Sequence, residues 1–261
     1  GTAFGAEGVI TGETVFTTGM NGYLETLTDP SYFGQIVTQT FPLIGNYGVI
    51  EKDFESDRCH VRGYILRDLC DEPSNFRCGG KLEDWLKKQN VIGLAGIDTR
   101  AITKILRESG VMNGMIVSGE GEEAKSILAS LKDEGKKSEL LEKIKSYKIE
   151  QAVESVTGSA SAIEEDAATV FAESAEYRFV PVKNDGTKIY DQAEAMKDGN
   201  GRKVVLWDFG AKANIRRELL KRGLEVETVS ALATAEAILR RNPDGVMLSN
   251  GPGDPKENTR I

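Results

Sequence analysis

The segment Gly245-Val246-Met247-Leu248-Ser249-Asn250-Gly251-Pro252-Gly253-Asp254-Pro255 carries the densest chemical signal in this 261-residue sequence. Val246-Met247-Leu248 is a short apolar run bounded by turn residues, which predicts a buried strand. After it, Gly and Pro alternate. Proline fixes φ and lacks an N–H, whereas glycine lets the backbone bend and approach a ligand with no Cβ in the way. In an α/β sheet, a strand that ends in such a loop delivers backbone N–H groups to the carboxyl edge, where ligands bind. Half of an oxyanion hole can be built that way. A tight strand-to-helix connection without chemistry is the plainer alternative for a generic Gly-Pro loop.

Other chemistry-bearing residues are sparse. His60 is the single histidine and follows Cys59. Adjacent residues on a strand point to opposite faces, so this pair is not expected to share a proton, and packing is the expected role. Cys59, Cys70 and Cys78 form no C-x-x-C pair and are odd in number, which points to reduced thiols rather than a disulfide framework or zinc site. No metal site is expected, and a cytoplasmic location is. Asp208-Phe209-Gly210 matches a kinase tripeptide, but no Gly-rich phosphate loop, strand lysine or His-Arg-Asp loop accompanies it. Asp208 is expected to cap the helix that follows, with Gly210 making the turn. No Gly-x-x-x-x-Gly-Lys-Ser/Thr pattern occurs, so nothing here places ATP chemistry.

Composition narrows the class. A hydrophobic content of 39% with 28% charged residues is ordinary for a globular protein. No apolar run approaches the roughly 20 residues that span a bilayer, and no signal peptide is visible. The sequence opens at Gly1 rather than Met, so a native N-terminus is expected to be missing. Formal net charge is −8, unevenly spread. Residues 201–261 carry 11 Lys and Arg against 8 Asp and Glu, whereas residues 1–200 carry 22 against 33. Such a balance disfavours nucleic acid as a partner.

The elements that must position these residues fall into three regions: a domain at 1–117, a helical and irregular connector at 118–201, and a partial domain at 202–261. The first is mainly β, with strand-like runs Thr14-Val15-Phe16-Thr17, Gln35-Ile36-Val37-Thr38 and Val61-Arg62-Gly63-Tyr64-Ile65-Leu66 punctuated by turn signals. One helix is well marked there. Asp98 suits its N-cap, Ile102, Ile105 and Leu106 recur at helical spacing, and Gly110 suits a left-handed C-terminal position. Arg100, Lys104 and Arg107 line another face, either a solvated stripe or a surface for an acidic partner. In the connector, Ile127, Leu128 and Leu131, then Leu140, Leu141 and Ile144, anchor two expected helices. Residues 150–176 turn acidic and Ala/Ser-rich, and Asp198-Gly199-Asn200-Gly201 is a turn. From Arg202 the pattern becomes strand (203–208), helix (213–222), strand (224–229), helix (233–241), strand (245–248). That order predicts the first half of a doubly wound parallel sheet, with an edge and one face left uncovered. The fold class is therefore α/β, a mainly β N-terminal domain followed by half of such a sheet.

Further strings complete the picture: residues 20–37, from Met20 through Asp29-Pro30-Ser31 to Val37, then Gly45-Asn46-Tyr47-Gly48, Ser74-Asn75-Phe76-Arg77 and Gly96-Ile97-Asp98-Thr99-Arg100. By itself Asp29-Pro30-Ser31 is a turn whose hydroxyl could cap a helix. Together with Ser249-Asn250-Gly251-Pro252-Gly253-Asp254-Pro255, these strings closely resemble the small, glutamine-hydrolysing subunit of carbamoyl-phosphate synthetase, a class I glutamine amidotransferase. The resemblance covers about Gly5 to Ile116 and Val204 to Pro255. It implies release of ammonia from glutamine by a Cys-His-Glu triad, with ammonia passed through a tunnel to the large subunit. There carboxyphosphate, made from bicarbonate and ATP, becomes carbamoyl phosphate for arginine biosynthesis, pyrimidine biosynthesis or both. Gly251 matches the glycine whose N–H faces the thioester oxyanion, Gly253 a second glutamine-contacting position, and Ser31 a serine that reaches the substrate. The resemblance implies a heterodimer with the large subunit, no cofactor in this subunit, ATP and Mg only in the large one, and no membrane. The family's nucleophilic cysteine, histidine and glutamate fall beyond residue 261, and Cys59, Cys70 and Cys78 all precede the sheet. The 261-residue chain is thus expected to be truncated and inactive alone. Alternatives are a non-catalytic docking module for the large subunit, or another class I amidotransferase, which residues 1–117 disfavour.

Overall fold

The computed structural model describes residues 1–159 and 201–258, and the chain divides into two compact units, Gly1–Ala152 and Val153–Ile261. Most of the expected acidic connector and the turn at 198–200 lie outside the described residues. Among the described residues, no helix is long and apolar enough to cross a membrane.

In the first unit, strands β1 (Thr2–Gly5), β2 (Gly8–Thr17), β3 (Gln35–Gln39), β5 (Gly63–Ile65), β7 (Ile92–Ala95) and β8 (Met112–Ser118) form a mixed six-stranded sheet. Its order is β1-β7-β5-β3-β2-β8, while β4 (Leu43–Ile44) and β6 (Asp68–Leu69) make a separate two-stranded ladder. The central pairs are parallel and the two outermost pairs antiparallel. Side chains alternate along each strand, so consecutive residues feed opposite faces. Val37 and Tyr64 join one core with Tyr23, Leu24 and Leu27 of α1 (Tyr23–Thr28) and Leu82 and Leu86 of α2 (Leu82–Lys88). Their neighbours Ile36 and Ile65 join Ile92 and Ile116 in the other core, against which Ile102 of α3 (Thr99–Ser109) packs.

Helix α3 starts as expected, with the Asp98 carboxylate accepting the Ala101 N–H at 3.0 Å. Its end differs. Gly110 has φ 82° but ψ −170°, so the chain leaves in an extended conformation open to glycine rather than a left-handed cap. Leu106 is buried, but Ile105 is 51% exposed, because only one stripe of the helix faces the sheet. The same correction applies to α4 (Glu122–Ser130) and α5 (Glu134–Lys145). Leu128, Leu131 and Leu141 stand exposed, while Ile127, Leu140 and Ile144 are half-buried. Beyond α5, Tyr147 Oη donates to the Gly34 carbonyl at 2.9 Å and tethers this segment to the sheet unit.

The second unit contains all of α6 (Ala152–Val156) after its first residue, then β9 (Lys203–Asp208), α7 (Ala213–Lys221), β10 (Glu225–Ser230), α8 (Ala235–Leu239) and β11 (Gly245–Leu248). The strands are parallel in the order β10-β9-β11. Leu206 packs with Ile215 of α7, whereas the adjacent Val205 packs with Ile238 of α8, so the two helices cover opposite faces. That is the doubly wound arrangement the element order predicts, but contrary to expectation neither face is left without a helix, because consecutive crossovers pack on opposite sides. Helix α8 is shorter than expected: Asn242 adopts φ 49° and Pro243 follows, and the residue before proline avoids helical geometry.

Candidate oxyanion loop

The Gly-Pro loop is held to the carboxyl end of β9 by a small set of bonds. The Ser249 N–H donates to the Trp207 carbonyl at 3.1 Å, continuing the β11–β9 ladder by one residue. The Ser249 hydroxyl then accepts the Phe209 N–H at 2.9 Å and donates to the Asn250 carbonyl at 2.6 Å. One side chain thereby fixes both loops that leave the sheet. At Gly251 the chains come so close that a Cβ would overlap the Phe209 carbonyl oxygen. Only glycine fits there. Across the same contact, Gly210 has φ 115°, and a Cβ on it would lie 2.9 Å from Pro252 Cδ and 2.7 Å from Val156 Cγ2. Pro252 is buried between these segments, whereas Gly251 and Gly253 remain exposed.

The Gly251 N–H donates to no group among the described residues. A peptide donor left without an acceptor among the described residues, on an exposed glycine at the carboxyl end of a parallel strand, is what an oxyanion site requires. Gly253 has φ 78°, and Asp254 ends the loop by accepting the Lys256 N–H at 3.0 Å at the start of the 3-10 turn Pro255–Glu257. The loop is therefore capped at both ends.

Asp208 supports the opposite side of this contact, though not as expected. Helix α7 begins after Lys212 without a side-chain cap. Buried Asp208 instead accepts the Gly210 and Ala211 N–H groups through Oδ1, at 2.8 and 2.6 Å, and the Gly158 N–H through Oδ2 at 2.7 Å. The Thr157 hydroxyl donates to its carbonyl at 2.7 Å. The tripeptide thus builds a turn that receives Gly251, and a segment 50 residues earlier locks it. Nothing in the local sequence signals that last partner.

The expectation that Val246-Met247-Leu248 forms a buried strand is half right. It is a strand, but its three side chains are 46%, 40% and 61% exposed. Apolar composition marks the strand; burial also needs a covering element, and among the described residues β11 pairs only with β9.

Ser31 belongs to the first unit, in the 3-10 turn Pro30–Tyr32. Here too the capping runs opposite to expectation: the Asp29 carboxylate accepts the Ser31 N–H at 2.9 Å, so Asp29 rather than the serine hydroxyl caps the turn. Gly251 and Gly253 share one loop; Ser31 is positioned separately by its own unit.

His60 and Cys59 are packing residues. His60 is buried with Nε2 2.8 Å from Ser56 Oγ, whose hydroxyl lies 2.5 Å from the Thr28 carbonyl. Burial, aided by the nearby Arg58 charge, pulls its pKa down to about 4. Burial of the Cys59 thiol pushes its pKa up to about 12, far from the thiolate a nucleophile needs.

Two family models match. The carbamoyl-phosphate synthase small chain CPSase domain matches residues 1–116, and the class-I glutamine amidotransferase matches residues 205–261. Among curated relatives, the carbamoyl phosphate synthase small chain of Bacillus anthracis is 44% identical over 257 residues, 98% of this chain and 58% of the relative. That of Clostridium perfringens is 42% identical, covering 98% and 60%. That of Listeria monocytogenes serotype 4b is 40% identical, covering 98% and 58%. The chain spans about three fifths of the length of these relatives. With both matched segments in this order and such identity across nearly all its residues, the chain belongs to the carbamoyl phosphate synthase small chain family.

Proposed function

We propose that this chain is the part of a glutamine-hydrolysing carbamoyl phosphate synthase subunit that supplies the oxyanion donor and a wall of the glutamine pocket. The observation that carries it is Gly251, exposed and with its N–H unpaired among the described residues, in a loop held by the Ser249 bonds at the carboxyl end of β11. In the reaction, a cysteine thiolate attacks the glutamine carboxamide, negative charge grows on its oxygen, and the Gly251 N–H stabilises it before ammonia departs. Gly253 lies in the same loop and Ser31 in the other unit; both are assigned to binding the amino-acid portion of glutamine.

The nucleophile is assigned to a cysteine outside residues 1–261. Cys59 is desolvated and protonated at neutral pH, and no Cys or His occurs in residues 202–261. The partner is the large chain, which would consume the ammonia with ATP and Mg; this chain itself takes no cofactor and works in the cytoplasm. The assay is glutamine-dependent ammonia release. The 261-residue polypeptide, folded by circular dichroism, releases none, whereas an enzyme that joins this segment to its nucleophilic cysteine does. Saturable release by the 261-residue polypeptide would refute the assignment of the nucleophile.

A further inference from the structure

We infer that the basic face of α3 docks an acidic, Asp- and Glu-bearing surface of a partner protein; on the functional proposal above, that partner is the large chain. Arg67, Arg100, Lys104 and Arg107 converge on one hollow of about 360 Å³, and the first three also line an adjoining hollow of about 620 Å³. Arg67 has a weak partner in Asp68, 3.7 Å away. Arg100, Lys104 and Arg107 form no ion pair or hydrogen bond among the described residues. The one other acid in the hollows, Asp98, is committed to the Ala101 N–H at the helix start.

Like charges one turn apart destabilise a helix, so three of them along one face oppose folding and gain nothing from each other. They also oppose the sign of the region, since residues 1–200 carry 33 acidic against 22 basic side chains. Thr99, on the wall of the first hollow, is 1% exposed and its Oγ1 has no hydrogen-bond partner. Beside the stripe, Ile105 is exposed on the same helix, and Val111 and Met112 are exposed just past its end. Arginine with exposed apolar side chains is the composition of a protein interface. The cations are exposed at the rim rather than enclosing the hollow. A small-ligand site buries most of its ligand, whereas every cation lining these hollows is an exposed residue. Outside this stripe the region is acidic, which opposes an extended polyanion such as nucleic acid more than a local acidic patch. An acidic protein surface satisfies the same charges at the rim and gives steering to the encounter.

The test is binding of the intact 261-residue polypeptide to purified large chain, read by surface plasmon resonance at about 50 and about 200 mM salt. Three proteins are compared: the parent, the stripe reversal Arg100→Glu/Lys104→Glu/Arg107→Glu, and a control reversal of equal charge on exposed residues, Lys132→Glu/Lys136→Glu/Lys143→Glu. Circular dichroism and urea midpoints confirm folding. An Arg100→Gln/Lys104→Gln/Arg107→Gln variant replaces the stripe reversal if that one unfolds. The expected result is a loss of about 30-fold or more in affinity for the stripe variant, mostly in association rate and with a flattened salt dependence. The control changes by less than about threefold. Equal behaviour of stripe and control variants overturns the docking surface while leaving the subunit assignment standing. Absence of binding by the parent overturns the partnership itself. Unchanged docking together with loss of inorganic phosphate binding at α3 in amide NMR spectra makes the stripe a small-anion site, and overturns the inference too.

Discussion

The Gly251 Cα lies against the Phe209 carbonyl so closely that no β-carbon can stand between them. Two loops from different strands thus meet at one glycine, which is exposed and whose amide has no acceptor among the described residues. Any side chain at 251 must separate the loops and move the donor. In an enzyme that carries this segment with its nucleophile, Gly251→Ala is expected to lower kcat by about 10²–10³, the usual cost of losing one oxyanion donor. The KM for glutamine should change far less. Steady-state ammonia release checks this.

Asp208 satisfies three backbone N–H groups from a buried position. Asp208→Ala leaves the amides of Gly158, Gly210 and Ala211 without their acceptor. The expected destabilisation of the second unit is about 3–5 kcal/mol, since each bond to a charged acceptor contributes about 1.5–3 kcal/mol and some are regained by water. Urea unfolding followed by Trp207 fluorescence measures it.

How far this was legible in the sequence depends on how local each cause is. Helix α3 carries its N-cap and its spacing within a dozen residues, and the β9–α7–β10–α8–β11 order follows from apolar runs and turn residues. The order β1-β7-β5-β3-β2-β8 is set by pairings between distant segments, and no local pattern encodes it. Asp208 shows the same limit within the site. Its position before a helix reads as a cap, but its strongest distant partner is the Gly158 amide. Exposure fails for a related reason: Val246, Leu248 and Ile105 are apolar, but burial depends on what lies opposite.

His60 makes the first unit sensitive to acid. Its pKa is lowered from 6.5 to about 4, so the unfolded chain binds a proton before the folded one does. Stability from the neutral, buried ring is fully present above about pH 6.5 and is lost as pH falls toward about 4, by up to about 3 kcal/mol. Urea midpoints of wild type and His60→Gln between those pH values check it. The variant should be less stable near neutrality and flatter across the window, because it has no proton to gain.

Strand β11 presents Val246, Met247 and Leu248 with its outer ladder open among the described residues. Unpaired apolar edges recruit other strands. The 261-residue polypeptide should self-associate with rising concentration, and Val246→Lys should suppress this without changing the circular dichroism spectrum. Sedimentation velocity over a concentration series distinguishes the two proteins.

The most direct measurement concerns the Gly251 amide itself. Hydrogen–deuterium exchange, resolved by NMR on the folded 261-residue polypeptide, should find it exchanging near the rate of an unprotected peptide, while the Ser249 amide in the ladder exchanges slowly. A Gly251 amide protected as strongly as that of Ser249 would mean the donor is already bonded, and would contradict its assignment to an oxyanion.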